Sequence, residues 1–361
     1  MQPALDEAMR EVMLTASFIQ GPAVAQFAAE LGEYLDGTHV VPCANGTDAL
    51  TLALMSLALP AGAEVIVPAV TYVATLEAAA LLGLRPVLVD VRPDTFNLDP
   101  AAVESALSWR TGAIVAVHLF GQCADLEQLR RISTQHGIPL IEDNAQALGA
   151  KFHFASGEEA VAGAVGSVGT TSFFPSKNLG AMGDGGALLT RDADRAALLR
   201  QLANHGQSQK YYHQRIGLNS RLDTLQAALL RVKLQYLPAA TAARQAVAAR
   251  YDAALGAVPG LRIPVRDARS THVFHQYTLT LAEPGRRDAV QHFLKRCGVP
   301  TMIYYPLPVH AQPAYEYLGY WAGQFPVAER LSTAVLSLPI HPRLTREEQD
   351  YIVDVVKQAL A

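Results

Sequence analysis

The sequence predicts an α/β fold: a large, mostly parallel sheet with helices on each side, followed by a smaller α+β unit. Short β-branched runs alternate with helical patterns through the first two-thirds of the chain. These runs are apolar almost throughout rather than alternating, the pattern of strands covered on both faces. After about residue 250 the grammar changes. A length of 361 residues corresponds to about two domains, placed at 1–250 (large) and 251–361 (small).

The N-terminal stretch Met1 to Leu14 carries Asp6, Glu7 and Glu11 and lacks the apolar core of a cleaved leader. Glu64 to Pro68, Pro86 to Asp90, Ala113 to Val117, Ile138 to Asp143 and Gly186 to Thr190 read as strands, and Ala49 to Leu59 as an apolar helix. Gln201 to Leu237 reads as helical and polar around a central loop, and Thr241 to Leu255 as a long Ala-rich helix. In the small unit, Val273 to Leu281 and Val299 to Tyr304 are strand-like. A helix over Arg286 to Arg296, a turn at Gly298 and a closing helix over Arg346 to Ala361 complete it.

Hydrophobic residues make up 50% and charged residues 17%, against roughly 25% charged in an average soluble domain. Disorder is excluded, and much surface is expected to be buried in the fold or against another subunit. A net charge of −4 offers no basic field for a phosphate backbone, so nucleic acid is not an expected partner. The charge-free stretch Val161 to Ser176 is broken by glycines and Pro175 and is shorter than the roughly 18 residues a bilayer requires. No membrane segment is expected, and the location expected is the cytoplasm. Cys43, Cys123 and Cys297, an odd number with no CxxC pairing, suit a reducing compartment and read as small buried hydrophobes rather than metal ligands.

Four pieces carry chemistry. In Cys43-Ala-Asn-Gly-Thr-Asp, Asn45 is a candidate cap, leaving the N–H groups of Gly46 and Thr47 at a helix's positive end, where a phosphate is favoured. Tyr72, after the strand ending at Pro68, can lie flat on a planar ring. Asp143 leaves a strand at its carboxyl end, the edge where open α/β sheets bind ligands. There it can pair with a protonated ring nitrogen, with Gln146 one turn later beside a ring oxygen. Lys177 is the only charge between Ala160 and Gly183, among Phe173, Phe174 and Leu179; poor solvation lowers a lysine's pKa, and a neutral amine condenses with an aldehyde. Gly183, Gly185 and Gly186 either admit a ligand to the backbone or simply make turns. Taken singly, a capped helix, a core tyrosine, a cap acid and a snorkelling lysine account for each piece. Together they meet the separate requirements of one cofactor, pyridoxal phosphate. A nicotinamide enzyme would want a G-x-G-x-x-G turn, which Asn45-Gly-Thr does not supply.

Asn45-Gly-Thr-Asp-Ala-Leu, Thr71-Tyr-Val-Ala-Thr, His118-Leu-Phe-Gly-Gln-Cys-Ala-Asp, Glu142-Asp-Asn-Ala-Gln-Ala-Leu-Gly-Ala, Ser172-Phe-Phe-Pro-Ser-Lys-Asn-Leu-Gly and Asn219-Ser-Arg-Leu-Asp resemble the DegT/DnrJ/EryC1/StrS family of sugar aminotransferases. His275-Gln-Tyr-Thr, Tyr304-Tyr-Pro-Leu-Pro-Val-His and Ser337-Leu-Pro-Ile-His-Pro extend the resemblance through the C-terminal part. It implies a fold type I (aspartate aminotransferase-like) enzyme acting as a homodimer with shared sites. Lys177 then matches the imine-forming lysine, Asp143 the partner of the pyridine nitrogen, and Gln146 the neighbour of the ring hydroxyl. Tyr72 matches the ring cover, and Gly46, Thr47 and Ser172 match phosphate contacts. Asn219 matches a phosphate contact from the other subunit, while Arg221, Tyr304 and Tyr305 fall where the family meets substrate. No metal is implied. The implied reaction passes an amino group from glutamate, or glutamine, through pyridoxamine phosphate to a nucleotide-linked keto sugar. The run of matches looks most like C3-aminating enzymes, with C4 amination and a non-catalytic, cofactor-binding regulator as alternatives. Where relatives acting on UDP-2-acetamido-3-keto-glucuronate read His-Tyr-Pro, this chain has Tyr304-Tyr305-Pro306, which brings a dTDP-3-keto-6-deoxyhexose into competition. Some relatives are dehydratases with histidine in place of the imine lysine; Lys177 argues against that chemistry.

Overall fold

A computed structural model describes residues 1–361. The central sheet has seven strands: β1 (His39–Cys43), β2 (Glu64–Pro68), β3 (Arg85–Val89), β4 (Thr111–Val117), β5 (Leu140–Asp143), β6 (Val168–Ser172) and β7 (Gly186–Thr190), in the order β1-β7-β6-β5-β4-β2-β3. β2 to β6 run parallel, and β7 opposes both β6 and β1, so six of the seven strands point one way. Their carboxyl ends therefore meet along one edge. Val117 lies opposite Asp143, Asp143 opposite Thr170, Ser172 opposite Gly186, and Gly186 opposite Cys43.

The sequence reading finds five of these strands. It misses β1, whose Pro42 forgoes a ladder hydrogen bond at little cost because β1 is an edge strand. It also misses β6, Val-Gly-Thr-Thr-Ser, which has no apolar run to betray it although its first four residues are buried. Apolar clusters cover both faces of the sheet. One contains Leu52, Val65, Val115 and Ile141, the other Ile66, Ile114, Leu129 and Phe152.

The helix expected over Ala49 to Leu59 spans Gly46–Met55, starting where Asn45 caps it. The stretch Gln201 to Leu237 is not helical around a loop. It contains a hairpin, Gln207–Gln209 with Tyr212–His213, before the helix Thr224–Leu234. Six of the seven residues from Lys210 to Ile216 are exposed polar or aromatic side chains with no helical stripe to bury. The next helix, Leu237–Leu255, leads to a three-stranded antiparallel sheet of Leu261–Arg262, Tyr277–Leu281 and Val335–Leu338. The expected strand at Val299 to Tyr304 is reduced to a single bridge between Met302 and Ser337. Val335–Leu338, buried throughout, takes the ladder position instead. The closing helix Arg346–Leu360 begins with a capping box between Thr345 and Glu348, worth about 1 kcal/mol. Cys43 and Cys123 are buried, whereas Cys297, at the end of helix Arg287–Arg296, is only partly so. Among the described residues, no helix is long and apolar enough to cross a membrane.

Candidate active site

The carboxyl edge of the sheet gathers the chemistry. Asp143 ends β5 and is 6% exposed. Its Oδ2 accepts from the Thr75 hydroxyl (3.1 Å) and its Oδ1 from the Ala145 N–H (3.2 Å); Thr75 in turn pairs with Thr71 (2.9 Å). Burial pushes the carboxyl above its usual range; the Ala145 N–H, Lys177 and Thr75 pull it down without cancelling burial. No cation forms a salt bridge with it among the described residues. A buried carboxylate in this state lacks a positive partner.

Glu142, one residue earlier, faces the other side of the sheet, as alternation requires. It accepts from the N–H groups of Gly163, Val165 and Gly166 at 2.6–2.8 Å and meets Nε2 of buried His118 at 2.9 Å. Since His118 Nδ1 accepts from the Ala124 N–H (3.0 Å), the ring proton resides on Nε2 and points at Glu142. These bonds hold Glu142 below the usual carboxylate range despite its burial. The adjacent acids thus diverge: Glu142 is fully satisfied and ties the loop Gly163 to Gly166 to β5, while Asp143 waits for a cation.

Lys177 sits in a tight turn after β6, its N–H on the Phe174 carbonyl (2.8 Å). Burial lowers its pKa, and the opposing charge of Asp143 only partly restores it. The two groups shift one another, so they lie within electrostatic reach. Phe173 and Leu179 are buried beside the turn, but Phe174 is 52% exposed and does not cover the lysine as its sequence position suggests.

Asn45 caps helix Gly46–Met55 by accepting from the Asp48 N–H (2.8 Å). Among the described residues, the N–H groups of Gly46 and Thr47 find no acceptor. A Cβ on Gly46 would stand 2.9 Å from the Ser172 Cβ, so Ser172 closes one side of this turn. Its hydroxyl accepts from the Phe174 N–H (3.2 Å), leaving its own proton free to donate. Gly186 packs on the Asn45 backbone and Gly185 on Leu222 and Phe173. Gly185 and Gly186 thus face atoms of the chain itself, a role beside the two that the sequence offers for these glycines.

Gln146 is oriented by a residue far from it in sequence. The Phe120 N–H donates to its Oε1 (2.7 Å), which turns its amide N–H groups toward Tyr305 Oη, 3.3 Å away. Phe120 holds a left-handed backbone (φ 60°), uncommon for a bulky residue. Asn97, 2% exposed, pins this turn through the Leu119 N–H and the carbonyls of Gln122 and Cys123. Tyr72 is 58% exposed, its ring 6.2 Å from that of Tyr305, and Tyr304 lies 5.7 Å from Tyr305. Asp143, Gln146, Tyr72, Tyr304, Tyr305 and Lys177 thus converge, through Asp143–Lys177 coupling and the Gln146–Tyr305 and Tyr72–Tyr305 contacts.

Asn219 and Arg221 do not join this group. Asn219 is exposed and bridges Asn204, and Arg221 lines a separate open groove of about 1360 Å³ with Gly21, His39, Asn204 and Arg215. Thr75 and His118 lie in quoted motifs to which the sequence assigns them no role, and Asn97 lies in none. The spacing of Thr71 and Thr75, one helical turn apart, is a signal for the first; the long-range partners of the other two leave none.

A family model for the DegT/DnrJ/EryC1/StrS aminotransferase family matches residues 1–357. The chain is 44% identical over 340 residues to UDP-2-acetamido-2-deoxy-3-oxo-D-glucuronate aminotransferase of Pseudomonas aeruginosa, covering 94% of this chain and 91% of that one. It is 41% identical over 353 residues to dTDP-3-amino-3,4,6-trideoxy-alpha-D-glucose transaminase of Streptomyces venezuelae, covering 98% and 91%. The crystal structure of S. venezuelae DesV in complex with a ketimine intermediate is 40% identical, with a TM-score of 0.94 over 99% of this chain and 94% of that one.

Proposed function

The chain belongs to the DegT/DnrJ/EryC1/StrS aminotransferase family, and on that premise we propose that it uses pyridoxal phosphate to move an amino group from glutamate to C3 of a nucleotide-linked keto sugar. One observation carries the cofactor reading: a buried, cation-less carboxylate, Asp143, within electrostatic reach of a lysine whose pKa is lowered. The residues present suit the group. The free N–H groups of Gly46 and Thr47 at a helix N-terminus and the Ser172 hydroxyl suit a phosphate. The exposed face of Tyr72 suits an aromatic ring, and the unpaired Asp143 suits a protonated ring nitrogen.

When bound, the cofactor supplies an aldehyde that takes up the amino group and a ring that withdraws the electron pair left by proton removal. Asp143 keeps the ring nitrogen charged, and gains in exchange the cation its burial demands. Lys177, uncharged, takes a proton at Nζ from the carbon that bears the donor's amino group and returns one to the opposite side of the transfer. Gln146, its oxygen held by Phe120, directs an N–H toward the ring hydroxyl. Tyr304 and Tyr305 contact the sugar nucleotide, and Arg221 reaches it from a second copy of the chain. Asn219 reaches the phosphate of a partner subunit in a cytoplasmic homodimer, consistent with its exposure and its distance from the Asp143 group's contacts.

The substrate class follows the relatives, one acting on a UDP-linked 3-oxo-glucuronate and the other named for a dTDP-3-amino sugar. Tyr304 in place of the histidine of the glucuronate group favours a dTDP-3-keto-6-deoxyhexose, whose sugar ring carries no carboxylate. C4 amination is the second reading, and the complete lysine–acid pair disfavours a purely regulatory role. The purified chain should be yellow, and borohydride should fix cofactor to wild type but not to Lys177→Ala; an equal covalent adduct on the variant overturns the assignment. UDP- and dTDP-linked 3-keto and 4-keto sugars offered with glutamate, and read by product mass, decide the sugar.

A further inference from the structure

Asn97 lies in the loop between β3 and helix Pro100–Ala106, and the mechanism above gives it no part. It is 2% exposed, and its amide is spent on one turn. Its Oδ1 accepts from the Leu119 N–H (2.9 Å), and its Nδ2 donates to the carbonyls of Gln122 (3.1 Å) and Cys123 (3.0 Å). The first partner is a donor and the other two are acceptors, so the amide has a single orientation. A buried amide without such bonds is costly; Asn97 and the turn from Leu119 to Cys123 therefore hold each other.

That turn carries Phe120 in a left-handed backbone (φ 60°), which a bulky residue keeps only when its surroundings impose it. Phe96, the chain neighbour of Asn97, adds an edge-on ring contact to Phe120 (centroids 5.4 Å apart). So held, the Phe120 N–H points at Gln146 Oε1 (2.7 Å). Only the oxygen of an amide accepts, so the Gln146 nitrogen must face the other way. One of its hydrogens goes to Tyr305 Oη (3.3 Å), and the second is left to donate. With the Phe120 N–H withdrawn, the amide can turn over and present an acceptor in place of that donor.

We infer that Asn97 is a positioning residue, which through the Phe120 turn keeps Gln146 presenting an N–H, and not its carbonyl, to the oxygen on the cofactor ring. The inference rests on the proposed function and adds to it a residue whose own side-chain bonds all go to the turn. Two aldehydes that differ in that one oxygen, pyridoxal phosphate and 3-deoxypyridoxal phosphate, read the effect. Their dissociation constants for the full-length chain, freed of cofactor, are measured by calorimetry. Wild type should prefer pyridoxal phosphate. Asn97→Ala should cut that preference about tenfold, the size of one hydrogen bond to a charged oxygen, while its affinity for the deoxy compound stays within about threefold. Gln146→Leu should lose the same preference, and adding Asn97→Ala to it should change the preference no further.

A role confined to stability would weaken both aldehydes alike, with or without Gln146, and that result overturns the inference. An undiminished preference in Asn97→Ala overturns it too, as does a wild type that binds the two aldehydes equally. Where Asn97→Ala does not fold, Asn97→Ser, whose hydroxyl can still accept from the Leu119 N–H, is put through the same comparison and decides between the same outcomes. A wild-type chain that binds neither aldehyde removes the proposed function and this inference with it, whereas one that binds both without these differences removes only the inference.

Discussion

Two adjacent acids at the end of β5 show how little the residue type alone decides. Glu142 and Asp143 are both buried, yet His118 and the backbone N–H groups of Gly166 and Gly163 depress the first while burial raises the second. A carboxyl raised by burial contributes its stability below the ordinary carboxylate pKa and loses it as pH rises through the folded value. At neutral pH the cofactor-free protein therefore carries Asp143 at a cost. Asp143→Asn should raise the Tm of the cofactor-free protein at pH 7 by about 2 °C, with the gain shrinking as pH falls toward the carboxylate range. It should also remove most of the Tm increment that pyridoxal phosphate gives wild type, and slow transamination by roughly 100-fold. Scanning calorimetry with and without cofactor checks the first part; a Tm unchanged or lowered in the cofactor-free variant would show that another cation already pairs with Asp143. At this scale the sequence is legible where a residue stands out against its neighbours. Lys177 does so, as the one charge in a long neutral stretch. Asn97 does not, because only folding brings it to the turn that carries Phe120.

Among elements, the N-terminus of helix Gly46–Met55 is set by its contact with the start of β7. A Cβ on Gly186 would fall 2.5 Å from the carbonyl carbon and oxygen of Asn45, and backbone cannot yield as a flexible side chain does. Gly186→Ala should cost about 1–3 kcal/mol and weaken cofactor binding by shifting the Asn45–Gly46 turn. Gly285→Ala, where the added carbon meets nothing within 4 Å, should be close to neutral. Denaturant midpoints at unchanged m-value check the pair, and equal midpoints would discount the contact. Apolar runs reveal β2 to β5 and β7, whereas β1 and β6 escape because register, not composition, makes them strands. The Gln207–Gln209 hairpin escapes for a related reason: a two-stranded ribbon of exposed polar and aromatic residues carries no apolar periodicity.

For the whole molecule, the apolar composition and the separate groove at Arg221 bear on assembly. We propose that Asn219 and Arg221 serve the site of a second copy. Lys177→Ala and Asn219→Ala chains, each inactive alone, should then regain up to about a quarter of wild-type activity when mixed, the share expected if half the dimers are mixed and one site in each is intact. Absence of recovery after demonstrated subunit exchange would sink the shared site. We also propose a division near residue 250. The core of Tyr251, Leu279, Leu294 and Val353 is separate from those on the large sheet, although Val309, Tyr315 and Leu331 return to pack on the latter. That return carries Tyr304 and Tyr305 to the mouth of the site.

By itself the sequence determined the α/β class, the strand that ends in Asp143, the capped turn at Asn45 and the isolation of Lys177. Each is written in neighbouring residues, through apolar runs, capping chemistry or local absence of charge. Only the tertiary structure decided that Gln146 is aimed by Phe120, that Asp143 lacks a cation while Glu142 has its partners, and that Asn219 and Arg221 stand apart. Those facts depend on contacts between residues distant in sequence, such as the 159 positions separating Gln146 from Tyr305, and on burial, which converts an ordinary ionisable group into one that needs a partner.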